Sequence, residues 1–158
     1  MSLESVRHFF ARHAPDLTIL ELPESTATVA QAAAGHGVEP GQIAKTLALR
    51  VGDQVLLLVT RGDARLDNQK AKASFHGKVK MLSGDEVSAL TGHPVGGVCP
   101  FGLTAPLPVY CDMSLQSFTE VLPAAGSTHS AVRINPLRMA ELTQAAWVDV
   151  CATPLTTA

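Results

Sequence analysis

The first helix is written in the spacing of its apolar positions: Leu3, Val6, Phe9, Phe10 and His13 fall three and four residues apart, and Ser2 is available as an N-cap. Residues 17–22 read as a strand. Ser25 or Thr26 can then cap an alanine-rich helix that runs to Ala34 and that Gly35 or Gly37 ends. Residues 46–51 and 55–60 are strongly β-forming, and the short polar connection Gly52-Asp53-Gln54 between them predicts an antiparallel hairpin. Asp67 caps a short helix through a lysine-bearing segment, residues 79–82 form another strand, and Ser83 with Glu86 has the spacing of a capping box before a helix to Leu90. Glycines and prolines crowd residues 91–108, which predicts loop. Residues 109–111, 128–134 and 147–151 read as strands, the last two flanking a helix that Asn135 caps and Pro136 starts. Hairpins mixed with helices, without regular βαβα alternation, predict an α+β fold with a mixed, mainly antiparallel sheet, in one domain spanning residues 1–158.

Composition narrows the class. With 158 residues, 46% hydrophobic and 16% charged, the chain suits a single core and is no disordered tail. Glu4 and Asp16 interrupt the start, so it lacks the apolar run of a signal peptide, and no stretch reaches membrane-spanning length; a cytoplasmic protein is expected. Cys99, Cys111 and Cys151 are odd in number, widely spaced and form no CxxC pair, which argues against a disulfide framework or a metal site. The net charge is −2, yet residues 61–80 carry Arg61, Arg65, Lys70, Lys72, Lys78 and Lys80 against Asp63 and Asp67, a local +4 on a body of −6. That stretch is either a solvated helix-and-turn surface or a patch that contacts the phosphates of RNA.

Three segments carry candidate chemistry. In Gly96-Gly97-Val98-Cys99-Pro100-Phe101-Gly102, glycines permit close approach of the backbone to a ligand and Pro100 stiffens the turn. Backbone N–H groups aimed from such a loop can stabilise the oxyanion of ester hydrolysis, a contribution of about 3 to 4 kcal/mol per donor; a tight surface turn is the alternative. Lys45 stands directly before an apolar strand, where its ammonium is either solvated or held as a three-donor point charge for a ribose, phosphate or carbonyl oxygen. Ala125-Gly126-Ser127-Thr128-His129 enters a strand with two hydroxyls and an imidazole, which could position water or a substrate amine, or serve the fold alone. There is no GxSxG elbow and no HExxH motif, and Cys99 suits a lining residue better than a nucleophile.

The AKTLAL strand start, the GGVCPFG loop and the AGSTH segment, in that order and spacing, resemble the YbaK and prolyl-tRNA-synthetase editing-domain family over nearly the whole chain. The GxxxP pattern of Gly96 and Pro100 combined with Lys45 is the most specific part. The resemblance implies a mixed sheet or partly closed barrel with surrounding helices, and a deacylase that hydrolyses the ester of a small mischarged amino acid on tRNA, with proline tRNA as the expected partner and prolyl-tRNA synthetase as a second. It implies no cofactor, no metal, no membrane and no DNA. Lys45 would contact the acceptor end or the acyl group, and the Gly96 amide would hold the carbonyl. Thr46, Gly97, Val98, Cys99, Pro100, Phe101, Gly102, Gly126, Ser127 and His129 would line or shape the substrate site, and the attacking group would be water or the substrate's own side chain. The AGSTH segment looks closer to the synthetase-inserted domains, whereas the chain length resembles the free-standing members. Two other functions fit the residues: a non-catalytic tRNA- or synthetase-binding module of the same fold, and a hydrolase of another small ester or thioester. The editing reading requires Lys45 and the 96–102 loop to line one cleft.

Overall fold

The computed structural model describes residues 2–152. Its spine is the pair of longest apolar strands. β1 (Ile19–Glu21) lies apart from them, while β2 (Ile43–Val51) and β3 (Gln54–Arg61) pair antiparallel from Ala44↔Arg61 to Val51↔Gln54. Gly52, at φ 61°, and Asp53 make the turn, so Gln54 belongs to the strand rather than to the connection. β4 (Val79–Met81) runs antiparallel to the end of β2, and β5 (Val109–Asp112) runs parallel to β3. β6 (Leu122–Pro123) lies parallel to the start of β2. β7 (Ser130–Val132) leaves this sheet to pair with β1 as an antiparallel ribbon, and β8 (Ala146–Val148) extends the sheet parallel to β5. The sheet is mixed and open, with β4 and β8 at its ends; the barrel alternative is not met.

One detail of this topology shapes the site. β6 pairs with Ile43 and Ala44, while β4 pairs with Leu49 to Val51 and the Leu82 N–H donates to the Ala48 carbonyl at 3.1 Å. Residues 45–47 of β2 therefore have no strand neighbour on that edge.

Both faces of the β2–β3 hairpin are covered, which is why Leu56 to Thr60 form an unbroken buried run instead of alternating. On one face Ala44, Ala48, Leu57 and Val59 pack with Val6 and Phe10 of α1 (Ser2–His13) and with Cys99 and Phe101. On the other, Leu49, Leu56 and Leu58 pack with Ala71 of α3 (Asn68–Phe75) and with Val150. α2 (Val29–His36) caps a third cluster with Ile43 and Leu122. α4 (Gly84–Thr91) and α5 (Pro136–Thr143) complete the shell. The buried Asp112 carboxylate accepts the Ser114 and Val150 N–H groups at 2.9 and 2.8 Å, tying the end of β5 to the chain beyond β8.

The elements expected from sequence are present, with shifted bounds. α2 starts after Thr28, not after Ser25 or Thr26, because Thr28 and Gln31 form a complete capping box; Gly37, at φ 69°, ends it. The strands expected over 17–22, 128–134 and 147–151 shorten to three residues each, since a strand extends only as far as it has a partner, and Cys151 makes only an isolated bridge to Leu66. β2 begins three residues earlier than expected, so Lys45 lies inside the strand. Ser2 is already helical, and its side chain, Met1 and residues 153–158 of the expected domain lie outside what is described.

Candidate active site

A cleft of about 310 Å³ opens over the uncovered edge of β2. Its floor is Ala44, Lys45, Thr46, Leu47 and Ala48; one wall is the segment from Thr26 to Val29 with Ala32 of α2, and the other is Leu82, Gly84 and Val87 at the start of α4. Gly96 and Val98, with Ala124, Ser130 and Ala131, complete the lining together with Ile43 and Leu122. Met81 and Val95 also line it, and at 62% and 65% exposure they form an apolar lip in solvent. Ala27, Ala32, Ala44, Ala48, Ala124 and Ala131 line it beside the larger Ile43, Leu47, Leu82 and Leu122, so the cleft is mainly apolar.

Lys45 and Gly96 line this one cleft. The Lys45 ammonium, however, donates to the Ala64 carbonyl at 2.6 Å, and Ala64 belongs to the turn after β3, outside the cleft lining. Burial pushes the lysine's pKa down; the Asp63 charge opposes the shift and Arg65 adds to it. The ammonium is thus half desolvated and held by one neutral acceptor, a weaker restraint than a carboxylate would give.

Gly96 is fixed by its backbone. At φ +90° a side chain would be strained, and a Cβ there would lie 2.7 Å from the Ala27 Cβ. Close approach of the loop to the 26–29 segment therefore demands glycine. Neither Gly96 nor Val98 spends its N–H on a protein acceptor among the described residues. Gly97 packs on the backbone of Ser127, and the Gly126 N–H donates to the Gly97 carbonyl at 3.1 Å, so the GGVCPFG and AGSTH segments do meet.

The rest of both segments stands behind the cleft. Cys99, Pro100 and Phe101 are buried in the core; Gly102 seats α1, since a Cβ there would lie 2.7 Å from the Ser5 backbone. Burial pushes the Cys99 thiol up to about 12, which removes it as a nucleophile. It lies 3.6 Å from Nε2 of His93, a fully buried imidazole that the sequence reading did not single out. His129 is exposed and lies 3.0 Å from its neighbour's hydroxyl, Oγ1 of Thr128, and neither it nor Gly126 and Ser127 lines the cleft. Ser130 does, with its hydroxyl 2.7 Å from that of Ser127.

Comparison with known proteins identifies the family. The model of the family described as the aminoacyl-tRNA editing domain matches residues 23–142, a span that holds every wall of the cleft. The chain belongs to that family. It is 46% identical to the uncharacterized protein YwhH of Bacillus subtilis, covering 96% of this chain and 98% of that one. It is 32% identical to EbsC of Enterococcus faecalis, described as a candidate Cys-tRNA(Pro)/Cys-tRNA(Cys) deacylase, over 72% of this chain and 71% of EbsC. A crystal structure of a candidate trans-editing enzyme for prolyl tRNA synthetase superposes with a TM-score of 0.89 at 35% identity, covering 96% of this chain and 98% of that one.

In this editing domain the basic stretch divides in two. Arg61 is committed: its Nε and Nη2 donate to Asp63 at 2.6 and 3.0 Å, and its guanidinium lies 5.0 Å over the Phe118 ring. Lys70 donates to Asp149 and to the Cys151 carbonyl. Arg65, Lys72, Lys78 and Lys80 are exposed and make no ion pair among the described residues. Lys78 and Lys80 lie beside Arg50 and His76 in a shallow hollow at the β4 edge, and Met81 follows at the lip of the cleft. No helix among the described residues is long and apolar enough to cross a membrane.

Proposed function

We propose that the protein is a trans-editing deacylase that hydrolyses the ester of a small mischarged amino acid on a tRNA, with proline tRNA as the substrate. The observation that carries this reading is the cleft itself, which gathers Lys45, the unspent amides of Gly96 and Val98 and a mainly apolar lining over one uncovered strand edge. The names of EbsC and of the trans-editing structure support the ester and the tRNA.

The chemistry needs an oxyanion to be held while water attacks the ester carbonyl. The Gly96 amide, with Val98 beside it, supplies the donors, and donors fixed before the reaction cost no reorganisation when charge develops. The tetrahedral intermediate then expels the ribose oxygen, which takes a proton as free amino acid and tRNA leave. Lys45, weakly held by Ala64, contributes positive charge at the acceptor end. Size provides selection: one methylene changes binding by about 1 to 3 kcal/mol, enough for a second sieve after synthesis though too little for synthesis alone.

One observation favours the binding-module reading. The Lys45 ammonium is already engaged by Ala64, which suits a lysine that braces the β3 turn. The experiment is deacylation of proline tRNA charged with alanine, cysteine, serine or proline, by wild type and Lys45→Ala in parallel. Editing predicts release of a non-proline amino acid that falls at least tenfold in the variant with little change in Tm. Salt-sensitive tRNA binding with no release of any amino acid establishes the module instead.

A further inference from the structure

The loop that brings Gly96 and Val98 to the cleft is closed at its neck by His93 and Phe101. Phe101 is the anchored side: it is fully buried, and its ring lies 4.8 Å from that of Phe10 and 5.8 Å from that of Phe9 in α1. His93 follows the end of α4, where Thr91 Oγ1 accepts its N–H at 3.1 Å and donates to the Val87 carbonyl at 2.7 Å. The imidazole joins the two sides, with Nε2 2.7 Å from the Phe101 carbonyl. Between them the Gly97 N–H donates to the Pro94 carbonyl at 2.9 Å, a turn that contains Gly96.

The imidazole does more than fill space. A carbonyl only accepts, so Nε2 carries the hydrogen and Nδ1 is the bare nitrogen, buried and without a partner. A leucine would occupy the same interior without an unsatisfied polar atom. Among the described residues no backbone N–H donates to the Phe101 carbonyl, and the Cys99 thiol reaches it only as a weak donor at 3.7 Å. Without the imidazole, this buried carbonyl regains a full partner only by turning toward water, which opens the neck and shifts the loop.

We infer that His93 is a positioning residue for deacylation: by holding the Phe101 carbonyl it sets where the Gly96 and Val98 amides stand in the cleft. This rests on the editing reading above and deepens it by naming what fixes the loop. His93 lies outside the cleft lining and acts through the neck alone. Oxyanion donors work within about 2.7 to 3.1 Å of the developing charge, and losing one costs about 10² to 10³ in kcat; a shifted loop is therefore expected to cost about tenfold or more. The loss falls on kcat rather than KM, because that charge exists only in the transition state.

The test compares wild type, His93→Leu and His93→Gln. Leucine keeps the bulk and removes the donor, whereas glutamine keeps an N–H near the place of Nε2. For each, kcat and KM are measured on the mischarged tRNA(Pro) that wild type hydrolyses fastest, with Tm and the iodoacetamide labelling of each cysteine in the folded protein alongside. The expected result is that His93→Leu loses about tenfold or more in kcat with little change in KM, and that Cys99 becomes labelled while Cys111 and Cys151 stay silent. His93→Gln keeps most of the rate and a silent Cys99. Wild-type kcat in His93→Leu would overturn the inference, as would equal losses in both variants. Labelling of all three cysteines together with a fall in Tm would also overturn it, since that marks a role in global stability alone. A wild type that hydrolyses no mischarged tRNA removes the editing reading instead, and the labelling pattern then decides whether His93 holds the neck.

Discussion

His93 shows how a single residue can couple the fold to pH. It is 0% exposed, its Nε2–H donates to the Phe101 carbonyl at 2.7 Å, and its Nδ1 has no partner. Desolvation holds the imidazole below its ordinary value of 6.5, and the bond to the carbonyl only partly opposes this. The folded protein therefore resists protonation more than the unfolded chain does. Stability is full above pH 6.5 and declines as pH falls from there through the lower folded value. Denaturant midpoints at pH 7.5 and 5 are expected to show that loss, and His93→Gln, which keeps a donor but does not titrate, to reduce it. Some slope will remain, because burial also lowers His36. Sequence gave access to such residues unevenly. Gly96 and Lys45 were readable because their types are unusual where they stand. Thr46 entered only as a member of a motif, and its isolation depends on which strands fail to cover it. His93 and Ser130 carry no local signal, since what distinguishes them is burial beside residues distant in the chain.

At the scale of elements, α4 is set by three residues. Ser83 accepts the Glu86 N–H and Glu86 accepts the Ser83 N–H, each at 3.2 Å, and Gly92 ends the helix at φ 78°. Because α4 brings Gly84 and Val87 to the cleft wall, Ser83→Ala is expected to cost about 1 kcal/mol of stability and to raise KM more than it lowers kcat. Thermal melts and steady-state deacylation check both parts. This capping box was legible because its partners sit three residues apart. The box at Thr28 obeys the same rule and was missed for a physical reason: Ser25 and Thr26 are equally good caps by type. Thr26 is spent on Thr128, and Ser25 accepts the Ala27 N–H, a competition that only the fold reveals. The hairpin was legible for the same local reason as the first box. The parallel additions of β5, β6 and β8 were not, because pairing between distant segments leaves no spacing to read.

The molecule as a whole carries an acidic balance and one free basic edge. Lys78 and Lys80 are unpaired and lead along β4 to the lip, whereas Arg61 and Lys70 are already neutralised. If the edge guides a tRNA, alanine at Lys78 or Lys80 should weaken binding for every acyl group alike and lower the slope of log affinity against log salt by about 0.7 to 0.9 per residue. Alanine at Arg61 should leave that slope unchanged while lowering Tm, since it removes the bonds to Asp63 and the contact with Phe118. The charge run predicted a basic surface, and the structure divides it by showing which cations have partners. The same packing that hides the cleft's supports also hides all three thiols: Cys99, Cys111 and Cys151 are buried, and each is pushed up to about 12. The folded protein is in effect silent toward alkylating reagents, so one cysteine introduced at Met81 would be its sole labelling handle, a reporter at the mouth with no background from the native chain.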